Sequence, residues 1–446
     1  MRTTIITETH DNGEIQRFQT VQDFSWNDLQ FSTPGFDKRA IKEIERLYTI
    51  NIVAKNPAAY GHLVFFHVDE QRTIPFPLDF NNTQFFLKNL ASSAWLNHLV
   101  QEGRLHWNNR WECDDRSVVT FLEELEAEEL LTLVKGKQAS LRFIPLSASL
   151  GFLSSLQSSL AVNSHFFLMD PTDLDSPFCE LGTPHGLALK DKVVINPPLN
   201  HRPCLLVDSE GVCKIGEVAL TDLSLEIDSH IYEHGKHAVY YFRPDKRITP
   251  PTTGVDIVIV GNRVVALQRG GNTIIPMAGF VLSLPDEIRV HDVLVRYLGL
   301  ESYQFGVQVG PAMVQQSNMV GSLCCPFYNP LLGGISFPPT VYPLPYDSAR
   351  AARIALGSDK DGEPTLVWAE GASKLHYIPG QGSCGASLLE LAQFCTRQHY
   401  QEIINLDGGG SAQIRYQGKR YLQIADRYVN DEEAERPIPL ALLLQN

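Results

Sequence analysis

The sequence predicts an α+β protein, with a helix-rich N-terminal domain over residues 1–145 and a mixed β-sheet domain over residues 150–446. Two observations lead to this prediction. Apolar residues recur at helical spacing in the first domain. The second domain consists of short apolar runs separated by Gly, Pro and Asn, which is the pattern of strands and turns. At 446 residues the chain is long enough for two such units.

Amphipathic segments predict the helices of the N-terminal domain. Residues 83–102 and 116–134 each place their apolar side chains on one helical face, and a further helix is predicted over residues 38–55. The acidic run EELEAEE is typical of a solvated helix face. No catalytic constellation is visible in this domain, so the sequence assigns it no role.

One helix is predicted within the second domain, over residues 386–400, between strands at 364–369 and 402–406. Ser387 and Glu390 have the spacing of a capping box, in which each side chain bonds the other residue's amide. The order strand, helix, strand favours a βαβ unit within a mixed sheet. If the two strands are parallel, Glu370 and Asp407, which follow them, lie at one edge of the sheet.

The composition argues against several classes of function. The chain has 37 basic and 51 acidic residues, a net charge of −14, whereas nucleic-acid binders rely on an excess of Lys and Arg. No apolar run approaches the ~20 residues of a membrane span, and the N-terminus lacks a signal peptide's apolar stretch. The sequence therefore predicts a cytoplasmic protein. No metal or cofactor motif is present, so no cofactor is expected.

The glycine loop 407–411 has two interpretations. Three successive glycines allow unusual backbone conformations, and their amides can form a concave nest for a phosphate oxygen. Asp407 would then serve as general acid or base, and Ser411 would donate a further hydrogen bond. In the alternative, the loop is a tight turn in which Asp407 satisfies its own backbone.

The residues around this loop resemble the phosphodiester glycosidase family. The string IINLDGGGSAQIRY, preceded by GASLLELAQF and followed by ERPIPLALLL, is similar to the family's Leu-Asp-Gly-Gly-Gly-Ser element after its GxTLxELA helix. Segment 351–357, AARIALG, is similar to the family's Pro-Arg-Thr-Ala-Ile-Gly, and segment 163–167, NSHFF, to its Asn-Gly-Gly-Phe-Phe. The resemblance covers about residues 150–446.

The sequence departs from the family pattern at two places. Ser164 and His165 stand where the family has two glycines, which implies a narrower pocket or an added proton donor beside Asn163. Leu440 stands where many members have Asn, whereas Arg436 is kept. The first departure indicates a substrate other than the family's N-acetylglucosamine.

Three residues are candidates for the catalytic work. Asp407 is the first choice for acid, base or nucleophile, because a phosphate leaving group needs little protonation and one carboxylate can be enough. Glu370 is its possible partner, with an ordinary turn acid as the alternative. His165 is either a proton shuttle or a packing histidine beside two phenylalanines.

The candidates for substrate binding combine cations, an amide and the loop itself. Arg353 and Arg436 can grip a phosphate through paired hydrogen bonds, or can form structural ion pairs. The resemblance implies that Asn163 reads sugar hydroxyls. The loop contributes Gly408, Gly409, Gly410 and Ser411.

The resemblance implies hydrolysis of a glycosidic bond between a sugar and a phosphate or phosphodiester group. The expected partner is therefore a sugar phosphate or glycosyl phosphodiester substrate. Two alternatives remain open: a non-catalytic sugar-phosphate binding protein, and a biosynthetic enzyme that transfers the glycosyl group to an acceptor other than water.

Overall fold

The protein, described by a computed structural model, folds mainly into antiparallel β-sheets. The structure describes residues 1–35, 51–52, 61–67, 72–74, 105–107, 111–113, 139–145, 149–168, 178–180, 182–199, 202–243, 246–285, 294–321, 323, 349–371, 378–420 and 435–444.

The strands follow one another along the whole described chain. The first ten are β1 (Arg2–Thr9), β2 (Ile15–Gln22), β3 (Leu29–Ser32), β4 (Asn51–Ile52), β5 (Gly61–His67), β6 (Arg72–Ile74), β7 (Leu105–Trp107), β8 (Trp111–Cys113), β9 (Ala139–Pro145) and β10 (Leu160–Asn163). The next ten are β11 (Ala188–Lys190), β12 (Val193–Asn196), β13 (Pro203–Asp208), β14 (Cys213–Glu217), β15 (Ser224–Ile227), β16 (His230–Glu233), β17 (Val239–Phe242), β18 (Val255–Val260), β19 (Arg263–Arg269) and β20 (Gly279–Leu284). The last ten are β21 (Arg296–Leu298), β22 (Tyr303–Val307), β23 (Ala312–Gln315), β24 (Asn318–Met319), β25 (Arg353–Ser358), β26 (Pro364–Ala369), β27 (Glu402–Asn405), β28 (Ile414–Tyr416), β29 (Lys419–Arg420) and β30 (Ala441–Leu444).

Helical structure is scarce in the described part of the chain. It contains one α-helix, α1 (Leu388–Arg397), and short 3-10 turns at Trp26–Asp28, Leu153–Ser155, Leu220–Asp222 and Gly409–Ser411. The predicted helix at 386–400 and its capping box are confirmed.

The prediction of an α+β fold with a helix-rich N-terminal domain is wrong. The described residues before position 145 lie mainly in β1 to β9, and the long pairing of β5 with β9 joins residues about 75 positions apart. Such a pairing is set by tertiary structure, so short local windows read for helical periodicity miss it. The predicted helices at 83–102 and 116–134 lie outside the described residues, as does the one at 38–55 except for β4. The division into domains at 145–150 stays a prediction.

A seven-stranded sheet carries the candidate site, with the strand order β1-β2-β26-β25-β27-β23-β24. The hairpin β1–β2 turns at residues 10–14, where Gly13 takes the positive φ of +81° that such a turn needs. β26 and β27 both pair antiparallel with β25, which lies between them, so they run in the same direction. The strand–helix–strand order is present, but neighbouring strands are antiparallel because β25 is inserted.

Apolar layers cover both faces of this sheet. On one face α1 buries Leu388, Leu391 and Phe394, and the Phe394 ring stacks on Phe18 of β2 at a centroid distance of 4.2 Å. On the other face Trp368 belongs to a core shared with a five-stranded sheet of order β29-β28-β10-β30-β3. The sheet is thus held in the middle of a three-layer arrangement, which fixes the ends of its strands.

The N-terminal segment is an integral part of both sheets. β2 pairs with β26, and β3 pairs with β30 over four residues. Lys190 is buried and its ammonium group donates to the Trp26 and Asn27 carbonyls, so the link between β2 and β3 is also tied to β11.

Ser387→Ala should lower the free energy of unfolding by about 1 kcal/mol, because the Ser387 hydroxyl caps the Glu390 amide at 3.2 Å. Urea denaturation measures the change. Ser387→Thr keeps the cap and is the matched control. Equal stability of the alanine variant and the wild type would contradict the prediction.

Candidate active site

Strand ends from both sheets bring the candidate residues to one place. Arg353 opens β25, Asp407 lies two positions after β27 ends, and Asn163 ends β10. β10 belongs to the five-stranded sheet, so the site lies where the edges of the two sheets meet. The Asp407 amide donates to the Ser164 carbonyl at 2.9 Å, which joins the two sheets directly.

The Asp407 carboxyl group is buried, with 6% of the residue exposed. Its Oδ1 accepts the Gly408 amide at 2.8 Å, while its Oδ2 has no hydrogen-bond partner in the described part of the chain. Burial raises the pKa of Asp407 to about 7, against the opposing effects of the Ser411 hydroxyl, the Arg436 charge, the Gly408 amide and the Arg353 charge. A carboxyl group that titrates near neutrality can work as acid or base.

The Asn163 side chain holds the backbone of the Asp407 loop. Its Nδ2 donates to the Asp407 carbonyl at 2.9 Å, and its Oδ1 accepts the Gln413 amide at 2.8 Å. The residue is 1% exposed. The structure brings Asn163 to the loop, and these contacts favour a positioning role over direct contact with a sugar.

The amides of the glycine loop are partly used within the protein. The Gly408 amide donates to Asp407, and the Gly409 amide donates to the Ala352 carbonyl at 2.8 Å. Gly409 has a positive φ of +60°. A Cβ on Gly408 would lie 2.8 Å from the Ala352 oxygen, so the loop needs glycine there for close approach to β25. These bonds favour the turn interpretation for the first two amides; the anion nest stays a prediction.

Arg353 and Arg436 both lie close enough to the loop for their charges to act on Asp407. The buried Arg353 guanidinium donates to the Ala386 carbonyl at 3.1 Å and to the Ala349 carbonyl at 2.7 Å. The Arg436 Nη1 donates to the Ser411 hydroxyl at 3.2 Å. Both positive charges act on Asp407, so the structure brings the predicted cations and the predicted acid together.

Glu370 lies at the same edge of the sheet as Asp407, two strands away, because β26 and β27 run in the same direction. Its carboxylate pairs with Arg17 at 3.3 Å. Arg17 belongs to β2, so this ion pair joins β2 to the residue that follows its neighbour β26. The pairing favours the structural alternative for Glu370, whose catalytic role stays a prediction.

His165 is buried on the core side of the site. Its Nε2 lies 2.8 Å from the Leu187 carbonyl and its Nδ1 lies 2.9 Å from the Ser164 hydroxyl. Burial lowers the pKa of His165 to about 4, so its imidazole is neutral at physiological pH. The contacts favour a packing histidine; its role as a proton shuttle stays a prediction.

Ser164 and Leu440, at which the sequence departs from the expected family pattern, contact each other. The Ser164 hydroxyl lies 3.0 Å from the Leu440 carbonyl, and the Ser164 amide donates to the same oxygen at 3.2 Å. Both residues are buried. Ser164 is therefore hydrogen-bonded to Leu440, the residue before β30, and does not line an open pocket.

Residues of the N-terminal hairpin support the site. The sequence did not indicate this role. The buried Gln16 donates from Nε2 to the Gly385 carbonyl at 2.9 Å, and the next carbonyl, that of Ala386, accepts from Arg353. Arg350 bridges Glu14 and Glu390, each at 2.6 Å. The contacts of Gln16 and Glu14 join residues more than 330 positions apart, so no local pattern marks them.

Within the described ranges, no group of three or more His, Cys, Asp or Glu side chains is arranged so that it could hold a metal ion. In the same ranges, α1 is too short and too polar to cross a bilayer. The predicted cytoplasmic location stays a prediction.

The fold and the loop geometry define a β-rich structure with a buried acid on which the charges of two arginines act. Residues 246–445 match the model of the phosphodiester glycosidase family. The resemblance to this family, predicted from the sequence, is confirmed over these residues. Arg353, Glu370, Asp407 and Arg436 fall within the match, whereas Asn163 and His165 precede it.

Two solved structures are similar to the chain at low identity. A hypothetical protein from Synechocystis has 14% identity and a TM-score of 0.40, and the match covers 99% of this chain and 61% of that one. The catalytic domain of zebrafish N-acetylglucosamine-1-phosphodiester alpha-N-acetylglucosaminidase, auto-inhibited by its pro-peptide, has 11% identity and a TM-score of 0.39, with 100% and 82% covered. No protein with a curated function matches the chain.

Gly409→Ala should lower the free energy of unfolding by about 1 kcal/mol or more, because alanine is strained at the positive φ of Gly409. Urea denaturation measures this loss. Gly211→Ala, at a φ of +88° in an open turn, is the matched control for the backbone strain. Lost phosphate binding with an unchanged denaturation midpoint would instead support the anion nest.

Proposed function

We propose that the protein hydrolyses the bond between a sugar carbon and a phosphate or phosphodiester oxygen. One observation carries the proposal: Asp407 presents a buried carboxyl oxygen without a hydrogen-bond partner among the described residues, within the family match and within reach of the charges of two arginines. A buried acceptor without a donor is costly in a purely structural loop. The family match supplies the reaction class, and the substrate is part of the proposal.

The charges at the site suit a substrate that joins a phosphate to a sugar. Arg436 is partly buried, so its guanidinium can bind a phosphate oxygen while it retains the Ser411 contact. Arg353 is buried against two carbonyls and acts by adding positive potential. Gly410 is half-buried and its amide donates no hydrogen bond to the described residues, so it is the loop amide best suited to a substrate oxygen.

We assign Asp407 the role of general base. A phosphate leaving group is a weak base and departs without a proton, so the step that needs help is the attack of water on the sugar carbon. The ionised Oδ2 would accept the proton of that water. Asn163 and the Gly408 amide hold the carboxyl group in place, because they bind the Asp407 carbonyl and Oδ1.

The test is release of free sugar from a panel of glycosyl phosphates and glycosyl phosphodiesters, with products identified by mass spectrometry. Sugar release supports hydrolysis. Binding of the panel without any product supports the sugar-phosphate binding protein, and a glycosylated acceptor supports the transferase. Neither binding nor product would overturn the proposal.

Asp407→Asn should lower kcat about 100-fold to 10,000-fold, because it keeps the shape and the Oδ1 acceptor but removes the base. Asp361→Asn, an exposed acid beside β25, is the control that should keep wild-type kinetics. Turnover of the Asp407 variant within about threefold of wild type would remove Asp407 from the mechanism.

The same variant should be more stable than wild type at neutral pH. The pKa of Asp407 is raised in the folded state, so its stabilising effect is complete below about pH 4 and is lost as the pH rises to about 7. Asparagine does not ionise. The difference in denaturation midpoint should therefore grow from pH 4 to pH 7 and then level off, and a constant difference would contradict the burial argument.

The pH profile of kcat/KM should rise as the pH increases through about 7, because the base works in its ionised form. A general acid would give the opposite slope over the same interval. Initial rates from pH 5 to pH 9 on the best substrate of the panel decide the sign.

A further inference from the structure

We propose that the outer strand β1 pairs antiparallel with β1 of a second copy of this chain, which joins the two seven-stranded sheets into one. β1 lies at the end of its sheet, and all eight of its residues pair with β2 in an unbroken register. The backbone groups on its other side face no strand among the described residues. An outer strand of this kind is a template for pairing with another chain.

β1 lacks the features that protect an outer strand. It has no Pro, no Lys and no bulge, and Thr3 to Thr7 between its charged ends carry no charge. Ile5 at its centre is 60% exposed. The consequence is an accessible strand with a high preference for β structure.

Several other outer strands of the described sheets are short or carry a charge in their interior. β24 and β29 are two residues long, and β14 carries Lys214 in its interior. β9 and β19 have seven residues each, but β9 carries Arg142 and ends at Pro145, whereas β19 has no charge between Arg263 and Arg269. Its pairing with β18, however, contains a register shift.

The ends of β1 are complementary for self-pairing, whereas those of β19 are not. A two-fold axis placed at Ile5, near the centre of β1, sets Ile5 opposite Ile5, and it sets Arg2 of each copy opposite Glu8 of the other. Side chains directly opposite one another share a face of the sheet, so both pairs of opposite charges attract. The same operation on β19 sets Arg263 opposite Arg269, and like charges repel.

The charged side chains are available for these contacts. Arg2 is 63% exposed in its side chain and reaches Gln22 and Asp23, and Glu8 is 32% exposed and accepts a hydrogen bond from Arg397. A carboxylate has about four acceptor sites, so Glu8 can bind a second guanidinium without losing the first. Glu8 can therefore pair with Arg2 of the second copy and keep its contact with Arg397.

The test is sedimentation of the full chain over protein concentrations from about 1 to about 100 μM, since a short interface gives a concentration-dependent dimer. We expect a dimer at the upper end. Arg2→Glu or Glu8→Arg should raise the dissociation constant about tenfold, and the double exchange should restore it to within about threefold of wild type. Ile5→Lys sets two ammonium groups opposite each other and should also weaken the dimer at least about tenfold.

Val265→Lys, on the exposed face of β19, is the matched control and should leave the dissociation constant unchanged. Circular dichroism shows that each variant is folded. A wild type that stays monomeric over the whole range overturns the proposal, as does a dimer that tolerates Ile5→Lys. Failure of the double exchange to recover dimerisation overturns the Arg2–Glu8 register. The result is independent of any enzymatic activity.

Discussion

The carboxyl group of Asp407 is held inside the protein at the junction of two sheets, and the surrounding structure compensates for its burial. An ionised carboxylate in such a place loses its hydration, and only hydrogen bonds and nearby positive charges can offset that loss. The Gly408 amide, Arg353 and Arg436 provide this compensation incompletely, and the pKa of Asp407 remains raised to about 7. The glycines are needed because the loop must pass close to the Ala352 carbonyl of the segment leading into β25.

The two sheets depend on each other through this junction. Asn163 ends a strand of one sheet and fixes the loop that leaves the other, so a shift of either sheet would move the carboxyl group. The N-terminal hairpin adds a second support, because Gln16 and Arg17 hold the segment that precedes α1 and the acid that follows β26.

The two residues that differ from the expected family pattern contact each other in the structure. At Ser164 and Leu440 the sequence departs from the expected family pattern, and the Leu440 carbonyl accepts hydrogen bonds from both the hydroxyl and the amide of Ser164. Both are buried, so the change alters the support of the loop more than the surface offered to a substrate. Asp407, Arg353 and Arg436 all lie on the part of the chain that matches the family.

The sequence by itself determined the features that depend on neighbouring residues. The capping box of α1, the strands on either side of it and the glycine loop follow from local spacing and from the conformations that glycine allows. The family resemblance also follows from short strings of residues. The N-terminal strands could not be predicted in this way, because β2 is stabilised by pairing with β26 and β3 by pairing with β30, more than 340 positions away. Tertiary structure alone decided that Glu370 pairs with Arg17, that His165 is neutral and that Asp407 titrates near neutrality, because burial and charge depend on residues brought together only by the complete fold.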